Sequence, residues 1–148
     1  MFSTLDLSSG FHQIRVDNEN VDEVFGFRAM GRLYVMETLS MGYKVSPGKF
    51  QGIMDKLFES HERADPFMDD VGVASKNMRE HLESDLPRAL AICSKYNILL
   101  KAAKCDLAKS ETRVLGFQVK NSATKLSCEK RDKIKEMSFP VDKQGRSP

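Results

Sequence analysis

An antiparallel α+β domain, with helices packed on one face of its sheet, is the fold class this 148-residue sequence predicts. Short alternating segments recur between turn residues, as half-buried antiparallel strands require. Two longer stretches repeat their apolar residues with the 3.6-residue period of a helix. With 41% hydrophobic residues, a chain of this length can bury one continuous core.

Met1–Asp6 alternates around Phe2, Thr4 and Leu5 and reads as a short strand, which Ser8, Ser9 and Gly10 break. Phe11–Val16 resumes the alternation, and Asp17–Asp22 is a polar turn. Val24–Arg28 and Arg32–Met36 form a hairpin that turns at Ala29-Met30-Gly31. A helix follows, with Ser46 as N-cap and Pro47 in the first position, where a missing N–H leaves no bond unmade. Phe50, Ile53, Met54, Leu57 and Phe58 supply its single apolar stripe, and the charged residues of His61–Asp65 end it. Phe67–Met68 and Val71–Val73 then make a hairpin around Asp69–Asp70.

Asn77 begins a second helix, with Glu80 three residues on completing a capping box. Met78, Leu82, Leu86, Ala89, Cys93 and Tyr96 are its expected buried stripe. Pro87 falls inside that stripe and is expected to kink or split the helix, since it removes a hydrogen bond and crowds the preceding turn. Ile98–Leu100, Arg113–Val119 and Lys125–Ser127 are short strands, the last two joined at Asn121–Ser122. Glu129–Met137 is a short helix, and the tail from Pro140 is expected to fray.

No apolar run approaches the roughly 18 residues of a membrane span, and the N-terminus lacks the basic-then-apolar layout of a signal peptide. An intracellular, non-secreted location is therefore expected. Cys93, Cys105 and Cys128 are odd in number and widely spaced, which argues against zinc and for reduced thiols. The net charge of +2 conceals an asymmetry. Residues 1–85 hold nine Lys/Arg against fifteen Asp/Glu, whereas residues 101–135 hold ten against four. An acidic part beside a basic part suits a metal site next to a phosphate backbone.

Two adjacent aspartates between apolar runs repel each other, and their ionised forms need a compensating charge. A divalent cation supplies it, and all-oxygen ligands favour Mg2+ or Mn2+. Asp6 ends another apolar strand. If that strand lies beside the hairpin, Asp6 and Asp69 can share two ions about 3.5–4 Å apart, the spacing used for in-line phosphoryl transfer.

Phe2-Ser3-Thr4-Leu5-Asp6-Leu7-Ser8-Ser9-Gly10-Phe11-His12-Gln13-Ile14 resembles the first catalytic motif of reverse transcriptases from gypsy-type LTR retrotransposons. Leu39-Ser40-Met41-Gly42-Tyr43-Lys44-Val45-Ser46-Pro47, continued by Phe50-Gln51 and Met54-Asp55-Lys56, resembles the second motif and the helix after it. Phe67-Met68-Asp69-Asp70 resembles the aromatic-x-Asp-Asp motif, with Phe where the family usually has Tyr. Lys101–Leu107, with Lys104-Cys105, resembles the fourth motif, and Val114-Leu115-Gly116-Phe117 the primer grip. The motifs occur in family order, with Asp69 lying 63 positions after Asp6.

The resemblance implies a polymerase palm-like sheet over residues 1–140, with partial fingers, no complete thumb and a flexible tail at 141–148. It implies RNA-directed DNA polymerase chemistry, in which deoxynucleotides are added to a primer 3′-hydroxyl with two Mg2+ or Mn2+ ions. Asp6, Asp69 and Asp70 would be the metal-binding and catalytic carboxylates. Phe11 would pack under the incoming sugar and reject a 2′-hydroxyl, and Gly42 would let the backbone approach nucleotide or template. Lys104 would protonate or neutralise the leaving pyrophosphate, and Leu115, Gly116 and Phe117 would hold the primer end. The implied partners are an RNA or DNA template with primer, deoxynucleoside triphosphates, and the fingers, thumb and RNase H domains of a longer pol polyprotein. The contrasting expectation is a non-catalytic retrotransposon relic that binds nucleic acid through residues 101–135 without needing the aspartates.

Overall fold

The computed structural model describes residues 1–16, 26–114, 117–120, 123–126 and 128–136. It divides into two compact units, Met1–Ser110 and Glu111–Pro148. In the first unit the elements run β1 (Phe2–Asp6), α1 (Gly10–Gln13), β2 (Gly26–Ala29), β3 (Arg32–Val35), α2 (Ser46–Phe58), β4 (Ala64–Phe67), β5 (Asp70–Ala74), α3 (Met78–Glu80), a π turn (His81–Asp85), α4 (Leu86–Lys95), a 3-10 turn (Ala102–Lys104) and β6 (Asp106–Lys109). Four strands form one antiparallel sheet in the order β4-β5-β1-β6, and β2 and β3 pair as a separate hairpin.

The sheet's alternation decides which side chains go where. In β1, Ser3 and Leu5 are buried, and they pair in register with Val73 and Val71 of β5, also buried. This face carries the core, in which Phe50, Met54 and Phe58 of α2 and Leu86, Ala89 and Cys93 of α4 join the strand residues. Each fully buried Leu, Val, Phe or Met side chain contributes about 1.5–3 kcal/mol, so this one layer of helices on one face organises the unit. The intervening residues of β1, including Asp6, point to the opposite face.

Several local expectations need correction. Phe11–Val16 is not a strand: residues 10–13 form the helical turn α1, and a single bridge between Arg15 and Thr38 follows it. Ser9 takes φ 53° to enter that turn, so the break in alternation at Ser8–Gly10 ends the pleat altogether. Ser46 lies inside α2 rather than capping it, Val45 being the N-cap, and the buried Ser46 hydroxyl has no hydrogen-bond partner. Asn77 does cap its helix, its Oδ1 accepting from Glu80 N at 2.8 Å.

Pro87 splits the second helix as expected, through a π turn in which Leu86 N–H donates to His81 O. The wide turn spends one extra residue, which rotates everything after it by about 100° relative to a uniform helix. A stripe counted at 3.6 residues therefore fails across it. Met78, Leu82 and Tyr96 are exposed, whereas His81 and Asp85 are buried beside Leu86, Ala89 and Cys93. β6 was not expected, and Ile98–Leu100 makes only an isolated bridge, between Leu100 and Leu7.

The second unit holds a three-stranded meander, β7 (Glu111–Val114), β8 (Phe117–Lys120) and β9 (Ala123–Leu126), followed by α5 (Cys128–Glu136). The single strand expected over Arg113–Val119 is instead two strands of a hairpin, with Val114 paired to Phe117. Leu115, Gly116 and the tail from residue 140 lie outside the described residues.

Candidate active site

The carboxylates come from two neighbouring strands and the turn between β4 and β5. Asp6, the last residue of β1, stands directly opposite Asp70, the first residue of β5. Directly paired residues of an antiparallel ladder share a face, with Cβ atoms about 4.5–5.5 Å apart. Asp69 occupies the second position of the two-residue turn Met68–Asp69, and its carbonyl accepts from Leu7 N at 2.8 Å. The acidic pair thus sits half in the turn and half in the strand. The apolar runs on either side do not encode that step.

Mutual repulsion and burial are both visible in their electrostatics. Burial, then the Asp70 and Asp6 carboxylates, hold the Asp69 carboxyl above its ordinary value, with Lys104 opposing. Burial and Asp6 do the same to Asp70, again against Lys104. Asp69 Oδ1 is buried without a hydrogen-bond partner. A buried carboxylate oxygen left unpaired beside two like charges is costly, and it marks a place where a cation would be bound.

Gly10 makes the close packing around Asp69 possible. A Cβ at this position would collide with Asp69 Oδ1 and come within 2.9 Å of Phe50 Cζ, so any larger residue would push the carboxylate aside. No periodicity encodes this contact between residues 10 and 69, so the sequence shows Gly10 as a break in the strand and part of the first motif but not as a neighbour of Asp69.

Lys104 is brought to the same place by the 3-10 turn that leads into β6, which pairs with β1 on the side away from β5. Its Nζ lies 3.5 Å from Asp6 Oδ2. Lys101 N donates to Asp6 O at 2.8 Å, and Asp6 N donates to Cys105 Sγ at 3.4 Å, which fixes the segment carrying Lys104 against the end of β1. The ion pair is partly exposed and worth at most about 1 kcal/mol, so its ammonium can yield Asp6 to a stronger cation.

Phe11 follows Gly10 in α1, half-buried, and stacks on Phe50 of α2 with ring centroids 4.8 Å apart. Gly42 lies in an exposed turn at φ +87°, and a Cβ there would meet nothing within 4 Å. Its backbone conformation, which L side chains rarely adopt, accounts for the glycine. Leu39 N donates to Ile14 O and Val16 N to Glu37 O, tying this turn's approach to the stretch after Phe11. Phe117 belongs to the second unit, in β8.

The all-oxygen donor set of Asp6, Asp69 and Asp70 fits Mg2+ or Mn2+ in its chemistry, and the unpaired Asp69 Oδ1 is the atom such an ion would satisfy. Among the described residues no three His, Cys, Asp or Glu side chains are already spaced as a ready metal cage.

This arrangement has clear counterparts. Residues 1–119 match the family model described as reverse transcriptase (RNA-dependent DNA polymerase), and the chain belongs to that family. It is 32% identical over 143 residues to the retrovirus-related Pol polyprotein from transposon 412 of Drosophila melanogaster, covering 95% of this chain and 11% of that protein. It is 30% identical over 142 residues to the Pol polyprotein from transposon opus of the same organism, covering 95% and 14%. The chain thus spans about a tenth to a seventh of the length of these relatives. Among solved structures it is similar to the foamy viral protease-reverse transcriptase in complex with RNA/DNA hybrid, with a TM-score of 0.79 and 25% identity over 95% of this chain and 19% of that one. A second foamy viral protease-reverse transcriptase structure, in complex with ds DNA, gives a TM-score of 0.83 at 24% identity, covering 97% and 25%. The palm-like antiparallel sheet with helices on one face is therefore the family's fold.

Proposed function

We propose that this chain is the catalytic palm of an RNA-directed DNA polymerase of the gypsy-type LTR retrotransposons, working within a longer pol polyprotein. The observation that carries this reading is the meeting of Asp6, Asp69 and Asp70 at one end of the sheet, with Asp69 Oδ1 unpaired and Lys104 on Asp6. Membership of the reverse transcriptase family supports it, as do the similar foamy viral structures in complex with RNA/DNA hybrid and ds DNA.

Asp6, Asp69 and Asp70 would hold divalent ions, Mg2+ or Mn2+. When bound, two such ions lower the pKa of the attacking 3′-hydroxyl and neutralise the leaving pyrophosphate. The chain's own residues do the rest. Lys104 leaves its partner Asp6 to meet the negative charge that grows on pyrophosphate. Phe11, braced by Phe50, lies under the sugar of the incoming deoxynucleoside triphosphate and refuses a 2′-hydroxyl. Gly42 offers bare backbone to nucleotide or template, and Leu115, Gly116 and Phe117 hold the primer. Primer–template, fingers, thumb and RNase H are the partners of this reading. Among the described residues no helix is long and apolar enough to cross a membrane, which is consistent with work inside the cell or a virus-like particle.

Primer extension on an RNA template with Mg2+ or Mn2+ tests the reading. Joined to the fingers and thumb named above, the chain is expected to add deoxynucleotides, and Asp69→Asn to stop it; alone it is expected to be inactive or very weak. Extension that survives Asp69→Asn would contradict the assigned site. Silence from both proteins, with equal binding of primer–template, would leave the non-catalytic relic as the better account.

A further inference from the structure

The turn that carries Asp69 is held from outside by a side chain to which none of the roles above is given. Among the described residues β4 is an edge strand, and its outer polar groups face no neighbouring strand. Gln51, on the second turn of α2, reaches across to it. Its Nε2 donates to Pro66 O at 2.7 Å, and its Oε1 accepts from Met68 N at 2.8 Å. The amide therefore does for residues 66–68 what one residue of a further strand would do, accepting one backbone bond and donating another.

Three features make this contact specific. First, the amide has one orientation. Its nitrogen faces two acceptors, Pro66 O and Asp55 Oδ1 at 2.7 Å, and its oxygen faces one donor, so a flipped amide would place like against like. Second, Pro66 turns its carbonyl outward to Gln51. A strand residue's N–H and C=O share a side, so the N–H that proline lacks is not one the β4–β5 ladder uses. Third, Met68 sits at φ +51°, a region that side-chain-bearing residues rarely enter and that persists only where surroundings enforce it. Gln51 holds the Met68 N–H on one side of the turn, and Leu7 N holds the Asp69 carbonyl on the other.

We propose that Gln51 is a positioning residue for the metal-binding carboxylate. By clasping the outer edge of the β4–β5 turn it keeps Met68 in the left-handed region and the Asp69 carboxylate facing Asp6. The proposal rests on the nucleotidyl-transfer reading only for the purpose of that placement; the clasp itself is a property of this fold. Outer partners that orient metal ligands typically change metal affinity by about 10–100-fold when removed.

The test uses the isotope-labelled full chain and Gln51→Leu, which keeps bulk and deletes both hydrogen bonds. In the wild-type protein the Met68 amide is expected to exchange slowly with solvent, and its HN–Hα coupling to report the left-handed region. Gln51→Leu is expected to lose both signatures and to bind Mn2+ about tenfold more weakly by paramagnetic broadening, with its melting temperature changed little. Unchanged Mn2+ affinity in a folded Gln51→Leu protein would overturn the proposal. So would a rapidly exchanging Met68 amide in the wild-type chain, a result that needs no variant to fold. If neither protein took up Mn2+, the nucleotidyl-transfer reading would fall, and the Met68 signatures would still decide what Gln51 does.

Discussion

At the scale of single residues, the site is a compromise between stability and chemistry. Asp69 and Asp70 are both held above the ordinary carboxylate range by burial and by their acidic neighbours. A raised acid is more easily protonated in the folded state, so its ionisation works against folding as pH climbs from the unfolded value through the folded one. In chelator at neutral pH, Asp70→Asn should therefore raise the melting temperature, and added Mn2+ should raise the wild-type value more than the variant's. Differential scanning calorimetry with and without Mn2+ reads both. Gly10 is the steric counterpart. Gly10→Ala forces a methyl group against Asp69 and Phe50, and overpacking of this kind costs about 1–3 kcal/mol in urea unfolding.

His81 gives the opposite sign. Its ring is fully buried, with Nε2 against Ser3 Oγ and Nδ1 against Ser75 Oγ, both at 2.7 Å. Burial, then the N-terminal amine, pushes its pKa below 6.5, with Asp85 opposing. Stability is fully present above the unfolded value and is lost as pH falls through the lower folded one. Urea midpoints should decline on mild acidification, and less steeply in His81→Gln. His61 belongs to the charged run that follows α2, and His81 lies outside the apolar stripe expected of the second helix, yet both are buried. His61 is satisfied within its own loop and by Asp85 O, a bond between residues 24 apart that no local pattern announces.

At the scale of elements, what was legible followed local periodicity. The strand ending at Asp6, the hairpin turning at Met30-Gly31, the Phe50, Met54 and Phe58 part of the α2 stripe and the Asn77 cap all depend on neighbours within a few residues and are present, whereas Ile53 of that stripe is exposed. What failed depended on a break in period. The π turn shifted the register of the second helix, and Ser9 sent Phe11 into a helical turn rather than a strand. Pro87 illustrates the difference. It follows directly on the π turn, whose wider ring accommodates the hydrogen bond that proline cannot make. Pro87→Ala should thus destabilise by less than about 1 kcal/mol, chiefly through the freer unfolded chain. A substantial stabilisation, measured by urea unfolding, would show that the proline is a strained interruption instead.

At the scale of the whole molecule, the carboxylates and Lys104 lie in the unit Met1–Ser110, as does every residue of the core cluster. A chain ending at Ser110 should consequently retain a cooperative thermal transition and the Mn2+ affinity of the full chain, read by circular dichroism and Mn2+ titration. The acidic half and basic half seen in the sequence also become intelligible, since the 3-10 turn before β6 sets Lys104, from the start of the basic stretch, against Asp6 at the acidic end of β1 and β5. The family's motifs were legible because they are contiguous strings. The contacts that assemble them, Gly10 with Asp69 and Gln51 with Pro66 and Met68, were not, because each joins segments that only the fold brings together.

The central claim is that Asp6 and Asp69 together create a divalent-ion site at the end of this sheet. Mn2+ binding followed by electron paramagnetic resonance, comparing the chain with Asp6→Asn and Asp69→Asn, tests it most directly. The wild-type chain is expected to bind Mn2+ saturably, and each variant at least about tenfold more weakly, with both variants folded. Binding that is the same in all three proteins would contradict it, and would mean that these aspartates meet for some purpose other than holding metal.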